Sequence, residues 1–174
     1  MRLLLLLAAT AFATPSQATD RHLNRGMGLW LDHKLDDAVA QFRLAVADSP
    51  RDPACRNFLG MALRETGRLD EAVAEHRRAI ALDPRQGAYP YHLALDLKAK
   101  GLLDEAIAEF RRAAALAPRE LAVWLDLAKT LEQRGALADA VEAYRRAVAL
   151  APRQPDYRKA LSAAIARRDS GSRQ

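Results

Sequence analysis

Residues 69–84, LDEAVAEHRRAIALDP, return with few changes at 35–50, 103–118 and 137–152, so one pattern occurs four times at a spacing of 34 residues. Each copy carries Leu, an Ala three residues later, a large residue four positions after that, a second Ala and a closing Pro. A repeat of this length is a supersecondary unit that cannot bury its apolar face alone. The copies must therefore stack, and stacking creates an extended surface suited to binding another molecule.

Apolar residues within each copy follow helical spacing, as Leu59 and Leu63 do in the second copy. A glycine separates the two helical stretches of three copies, at Gly67, Gly101 and Gly135. Glycine enters the left-handed conformation without a Cβ penalty, which suits the end of a helix before a tight turn. Acidic residues then occupy the first turn of the second stretch, where they complement the helix dipole. The sequence predicts an all-α fold of helix–turn–helix units.

The fourth copy resembles the tetratricopeptide repeat (TPR) family. It carries the family's signature residues in order, at Trp124, Leu127, Ala128, Leu131, Ala140, Tyr144, Ala147 and Pro152. The other copies depart from the signature: the second has Arg56 in place of Trp and His76 in place of the aromatic residue, the third has Pro90 in place of Trp, and the first has Arg25 for Leu and His33 for the turn glycine. The resemblance implies a right-handed α-solenoid of four repeats, at 19–52, 53–86, 87–120 and 121–154.

The N-terminal segment has the composition of a secretory signal peptide. Met1-Arg2 is a short positive start, residues 3–13 form an apolar run too short to span a bilayer, and Ser16-Gln17-Ala18 offers small residues for cleavage. A cut after Ala13 is the alternative. We therefore expect residues 1–18 to be removed and the mature chain to be periplasmic or secreted, without stable membrane insertion.

The pattern continues after the fourth copy for one helix only, residues 155–168. Tyr157, Leu161 and Ile165 share one face of it, and basic residues remain for the other. Because the last repeat of a solenoid exposes an apolar flank, this segment is predicted to be a capping helix. The polar residues 169–174 are expected to form a frayed tail.

Charge and motif content disfavour two other classes of function. The formal charge of +5 comes from interleaved acids and bases, and no nucleic-acid-binding motif occurs, so we do not expect nucleic-acid binding. The four histidines lack the spacing of a zinc site, and no phosphate-binding loop or nucleophile elbow is present. No catalytic residue, metal site or cofactor is predicted, and the single Cys55 is interpreted as a small packed residue.

The resemblance implies that the first helix of each repeat lines a concave groove. Carried over position by position, the partner-binding residues are Leu23, Met27, Trp30, Asn57, Met61, Tyr91, His92, Leu95, Leu125 and Lys129. This stripe is rich in Met and aromatic residues, which suit adaptable peptide-binding surfaces. The Lys and Asn with which some family members hold a C-terminal carboxylate are replaced here by Leu23 and Met27.

The sequence therefore predicts an exported scaffold that binds a peptide or helical segment of a partner protein in the groove. A self-assembling structural protein is the alternative, and the oligomeric state is left open. An enzyme or a nucleic-acid binder ranks below both. Substitutions of the predicted groove residues are expected to impair partner binding more than substitutions on the second helices.

Overall fold

The computed structural model describes residues 15–171, and within that range it contains nine α-helices and no strand. Their bounds are α1 Pro15–Leu31, α2 Leu35–Asp48, α3 Pro53–Glu65, α4 Leu69–Leu82, α5 Ala88–Ala99, α6 Leu103–Leu116, α7 Leu121–Arg134, α8 Leu137–Leu150 and α9 Pro155–Gly171. Helices α1–α8 pack as four antiparallel pairs. The second helix of each pair also packs on the first helix of the next, and α9 packs on α8. The predicted all-α solenoid is confirmed.

Each turn inside a pair is closed by the same backbone hydrogen bonds. In the second pair Gly67 N donates to Arg64 O, and Arg68 N donates to Leu63 O across the turn. Glycine takes the left-handed position in three turns, with φ values of 76°, 78° and 83°. His33 takes it in the first turn with a φ of 58°, so the residue that departs from the glycine pattern adopts the glycine conformation.

The small and large residues of the repeat interlock as the pattern predicts. Both alanines of every second helix have no exposed surface, and the rings at the aromatic position are buried beside them. Gly26 and Gly60 let two of these rings approach the first helix closely. A Cβ on Gly60 would lie 2.6 Å from His76 Nε2, and a Cβ on Gly26 would lie 2.6 Å from a Phe42 ring carbon. Such contacts leave no room for a methyl group.

The ends of the helical array extend past the predicted boundaries. Helix α1 begins at Pro15, ahead of the predicted start at residue 19, and α9 continues to Gly171 beyond the predicted end at residue 168. Thr19 is buried, and its hydroxyl lies 2.7 Å from that of Ser49. The first fourteen residues, which hold most of the predicted signal peptide, lie outside the described range. No helix within residues 15–171 combines the length and the apolarity needed to cross a membrane.

The apolar core is divided where His76 replaces a phenylalanine or tyrosine ring. One cluster of buried residues centres on Phe42 and joins the first two repeats, while another centres on Phe110 and extends from α4 to α9. Between them the side chain at the aromatic position is polar. The division lies within the second repeat, because α4 contributes Ala72 to the first cluster and Val73, Ala79 and Ile80 to the second.

Candidate binding groove

Hydrogen bonds between neighbouring first helices bring the predicted groove residues onto one surface. Trp30 Nε1 donates to Glu65 at 2.7 Å, and the Tyr91 hydroxyl donates to Asp126 at 2.8 Å. Across the last boundary Arg167 of the capping helix donates to Glu132 at 2.9 Å. These bonds join α1 to α3, α5 to α7 and α7 to α9.

Every predicted groove residue keeps some contact with solvent, but to different degrees. Met27 and Lys129 are exposed, and the other eight are half-buried: Leu23, Trp30, Asn57, Met61, Tyr91, His92, Leu95 and Leu125. Half-burial suits an anchor, since the side chain is held by its own fold and still offers a face to a partner. Met27, with 37% of its surface exposed, is the groove methionine whose removal disturbs the core least.

The apolar groove residues pack against the core beneath them. Leu23 and Trp30 contact the cluster around Phe42, with the Trp30 ring meeting the Phe42 ring edge-on at a centroid distance of 6.0 Å. Leu95 and Leu125 contact the second cluster in the same way. Packing between helices therefore occupies part of each side chain and leaves the remainder exposed.

A buried polar cluster lies under the groove at the second and third repeats. His76 Nδ1 lies 2.5 Å from Asp96 Oδ2, and both residues have no exposed surface. Arg64 donates to the other Asp96 oxygen at 3.1 Å. His92 stacks on His76 with a ring-centroid distance of 5.7 Å. Since a buried carboxylate requires donors on its oxygens, Arg64 and His76 together hold Asp96 in place.

The electrostatics of this region favour neutral rings. The pKa of His92 is lowered to about 3, chiefly by burial and to a smaller extent by the neighbouring His76 and Arg64. Burial likewise raises the pKa of Tyr91 to about 12, aided by its hydrogen bond to Asp126. At neutral pH both groove side chains are therefore uncharged.

Asp96 is the site residue that the repeat pattern did not single out. It takes the place that Ala62 holds in the second repeat and Thr130 in the fourth. A carboxylate at a position buried in the sister repeats, combined with a histidine at the aromatic position, is the feature of the sequence that could have revealed the pair. His76 itself is interior, in agreement with its predicted packed position.

The arginines of the second helices are largely engaged. Pairs three residues apart join Glu75 to Arg78 and Glu142 to Arg145. A further row joins consecutive repeats through Arg43–Glu71 at 2.7 Å, Arg77–Glu105 at 3.5 Å and Arg111–Asp139 at 2.5 Å. Exposed pairs of this kind contribute about 0–1 kcal/mol each. The arginines after the prolines, by contrast, are exposed and form no ion pair within residues 15–171: Arg51, Arg85, Arg119 and Arg153.

Cys55 is buried, and its thiol lies 3.4 Å from Asp52 Oδ2. Burial raises the pKa of this thiol to about 12, and the nearby Asp52 charge acts in the same direction. A thiol with so high a pKa is a poor nucleophile at neutral pH, so the packed interpretation of Cys55 is confirmed. Among the described residues no group of three or more His, Cys, Asp or Glu side chains could hold a metal ion.

Comparison with known proteins finds one matching family model and several solved structures with the same fold. The model of the tetratricopeptide repeat matches residues 23–87 and 91–155. No curated protein matches the chain in sequence. Among solved structures, MamA of Desulfovibrio magneticus RS-1 has a TM-score of 0.77 at 20% identity, covering 87% of this chain and 86% of that chain.

Two further solved structures share the fold. PilF of Pseudomonas aeruginosa has a TM-score of 0.78 at 20% identity, covering 90% of this chain and 71% of that chain. YrrB, described as a TPR protein with an unusual peptide-binding site, has a TM-score of 0.70 at 17% identity, covering 85% and 76%. The family model spans most of the chain, and the helix pairs recur at the family's repeat length. The chain therefore belongs to the tetratricopeptide repeat family.

Proposed function

We propose that this protein is an exported scaffold that binds a peptide or helical segment of a partner protein in the groove formed by α1, α3, α5 and α7. Proteins of the tetratricopeptide repeat family serve as scaffolds for protein–protein interaction. The observation that carries the finer proposal is the row of half-buried apolar side chains on neighbouring first helices, including Trp30, Tyr91 and Leu95. Such side chains bind a partner at low entropic cost because their own packing already orders them.

The peptide-binding part of the proposal draws support from a structural neighbour. YrrB has the same fold and is described as having an unusual peptide-binding site. The groove of this chain lacks the Lys and Asn that hold a C-terminal carboxylate, since Leu23 and Met27 stand there. The partner segment is therefore expected to bind through internal apolar residues.

Export is proposed on the sequence of residues 1–18 alone. A cut after Ala18 would shorten α1 by four residues and leave Thr19, which contacts Ser49, at the new end. A cut after Ala13 would keep the whole of α1. The two sites therefore predict different stabilities for the first repeat.

A peptide-display selection on the immobilised mature protein tests the groove. The variants to compare are Met27→Ala and Met61→Ala in the groove, against Arg78→Ala and Arg112→Ala on the second helices. Truncating a buried anchor should weaken the selected peptide by about 1–2 kcal/mol or more, whereas the arginine variants should change binding little. Circular dichroism must show that each variant is folded. Equal losses in both sets would place binding on the outer face instead.

Self-assembly remains the second candidate because the first repeat exposes large apolar side chains. Leu31 is 83% exposed and Leu44 is 45% exposed, at the end of the array that lies opposite the α9 cap. Multi-angle scattering of the wild type and of Leu31→Ser with Leu44→Ser separates the candidates. An oligomer that the double substitution disperses would favour self-assembly, and a monomer in both would leave the groove proposal.

A further inference from the structure

The fifth residue of each 34-residue repeat, which lies on its first helix, is placed opposite the sixth residue of the next repeat. Tyr91 and Asp126 show the geometry, because the phenol of one donates to the carboxylate of the other at 2.8 Å. The 34-residue repeat gives three equivalent pairs at the other boundaries, counting α9 as the last first helix: Leu23 with Phe58, Asn57 with His92, and Leu125 with Ala160. The residue pairs at these four boundaries can therefore be compared with one another within the same chain.

In three of the four pairs the two side chains either pack as apolar groups or form a hydrogen bond with each other. Leu23 and Phe58 are both apolar and pack on one cluster, and Leu125 and Ala160 do the same on the other. At the remaining boundary, buried Asn57 Oδ1 and buried His92 Nδ1 have no hydrogen-bond partner. The Asn57 amide nitrogen lies 3.4 Å from the Met61 sulfur, which is a weak acceptor. An unsatisfied buried polar group costs about 1–3 kcal/mol, so each of these two atoms gains from a partner.

The charges around the pair select a neutral ligand. Arg64 approaches the His92 carbonyl oxygen at 3.5 Å and bonds Asp96, which also contacts His76. A cationic ligand would meet Arg64. A carboxylate would lack a free cation, since Arg64 already balances Asp96, and it would meet the lone pairs of Asn57 Oδ1. An amide group is neutral and carries both an N–H donor and a carbonyl acceptor.

We propose that Asn57 and His92 form the polar recognition point of the groove and bind an amide group of the partner, with the amide N–H donating to Asn57 Oδ1. This inference rests on the proposed function, since it names the chemistry recognised at the same groove. The amide comes from the main chain of an extended segment or from an Asn or Gln side chain. Both residues are half-buried, so part of each side chain is exposed although the two unpartnered atoms are not.

A titration with small amides tests the pair without knowledge of the partner. Acetamide stands for a side-chain amide, N-methylacetamide for a main-chain amide, and acetate is the charged control. The readout is the ring resonances of His92 in the folded wild-type protein by NMR. Either amide should produce a saturable shift that acetate does not, and the stronger of the two identifies the source. Absence of a shift with both amides, or an equal shift with acetate, would overturn the proposal.

Two double variants taken from the chain's own boundaries serve as controls. Asn57→Leu with His92→Phe copies Leu23 and Phe58, and it preserves ring stacking because Phe58 stacks on Phe42 at 5.8 Å as His92 does on His76. Asn57→Tyr with His92→Asp copies Tyr91 and Asp126. The amide response, followed on the backbone resonances of α3 and α5, should vanish in whichever of these variants folds. A response that persists in a folded variant contradicts the assignment.

The same variants separate this inference from the proposed function. A groove peptide selected on the wild type should bind the folded double variant at least tenfold more weakly. If Met27→Ala weakens the binding of that peptide while the double variant does not, the proposed groove function stands. The assignment of Asn57 and His92 as the recognition point is then wrong. If no peptide binds at all, the small-amide titration still decides the role of Asn57 and His92.

Discussion

Acid should destabilise this protein through a single half-buried ring, His92. Its pKa is lowered from the ordinary value of 6.5 to about 3, first by burial and then by the positive potential of His76 and Arg64. In the unfolded chain the ring takes up a proton near pH 6.5, whereas in the folded chain it stays neutral until about pH 3. The unfolded state therefore binds more protons in this window, and stability falls as the pH falls.

The magnitude follows from the width of the window. One proton taken up only by the unfolded state costs about 1.4 kcal/mol of stability for each pH unit. Between pH 7.5 and pH 4.5 the loss reaches about 2–3 kcal/mol, most of it below pH 6.5.

The matched variant is His92→Phe, which keeps a ring stacked on His76 and removes the titrating group. Urea unfolding followed by circular dichroism at pH 7.5 and pH 4.5 gives the free energy of unfolding of both proteins. The wild type should lose about 2–3 kcal/mol more than the variant between the two conditions. Because His76, Asp96 and Arg64 are present in both proteins, an equal loss would mean that these groups, and not His92, carry the acid response.

Further predictions concern the turn, the helix contact, the cap and the leader. His33→Gly should stabilise the protein by about 0.5–1 kcal/mol, since relief of left-handed strain exceeds the added backbone entropy; a lower melting temperature would contradict this. Gly60→Ala should destabilise it by about 1–3 kcal/mol through the His76 clash, while the control Gly28→Ala, with open space at its Cβ, should gain up to about 1 kcal/mol. Deleting residues 155–174 should cause aggregation or a clear loss of stability, and an unchanged monomer would remove the capping role. Mass spectrometry of the exported protein should find Thr19 at the N-terminus, or Thr14 for the alternative cut, and an intact Met1 would remove the export proposal.

The fold could be predicted from the sequence because the same pattern of residues occurs four times. A glycine in the turn or an alanine in a helix means little once, but the same residues at a fixed spacing of 34 restrict the chain to stacked helix pairs. Pro15 and Gly171 show what this reasoning misses. The repeat pattern gives no information outside the repeats, so the outer ends of α1 and α9 depend on local helix propensity and on contacts with α2 and α8.

The groove residues could be located by register, but their partners could not. Tyr91 and His92 are adjacent in sequence and share the same helix, yet the Tyr91 hydroxyl is satisfied by Asp126 while the His92 ring nitrogen has no partner. The difference depends on which residue the neighbouring first helix places opposite each side chain, Asp126 of α7 for Tyr91 and Asn57 of α3 for His92. Asp96 could not be identified for a related reason. Its partner is His76, which lies twenty residues away in sequence and on another helix.

Departures from the repeat pattern in the second and third repeats change how each repeat is tied to the preceding turn. Arg56 and Trp124, the fourth residues of their repeats, donate to the carbonyl oxygens of Pro50 and Pro118 and so tie each repeat to the preceding turn. Pro90 holds that place in the third repeat and has no side-chain donor to offer.

The polar atoms of Asn57 and His92 are unsatisfied at the boundary between the second and third repeats. In a solenoid, stability is a sum of repeat and interface terms, so a weak interface limits how the two halves hold together. A partner that satisfies Asn57 and His92 would bind across that interface and stabilise it. Partner binding and the joining of the two halves of the solenoid are therefore expected to be coupled.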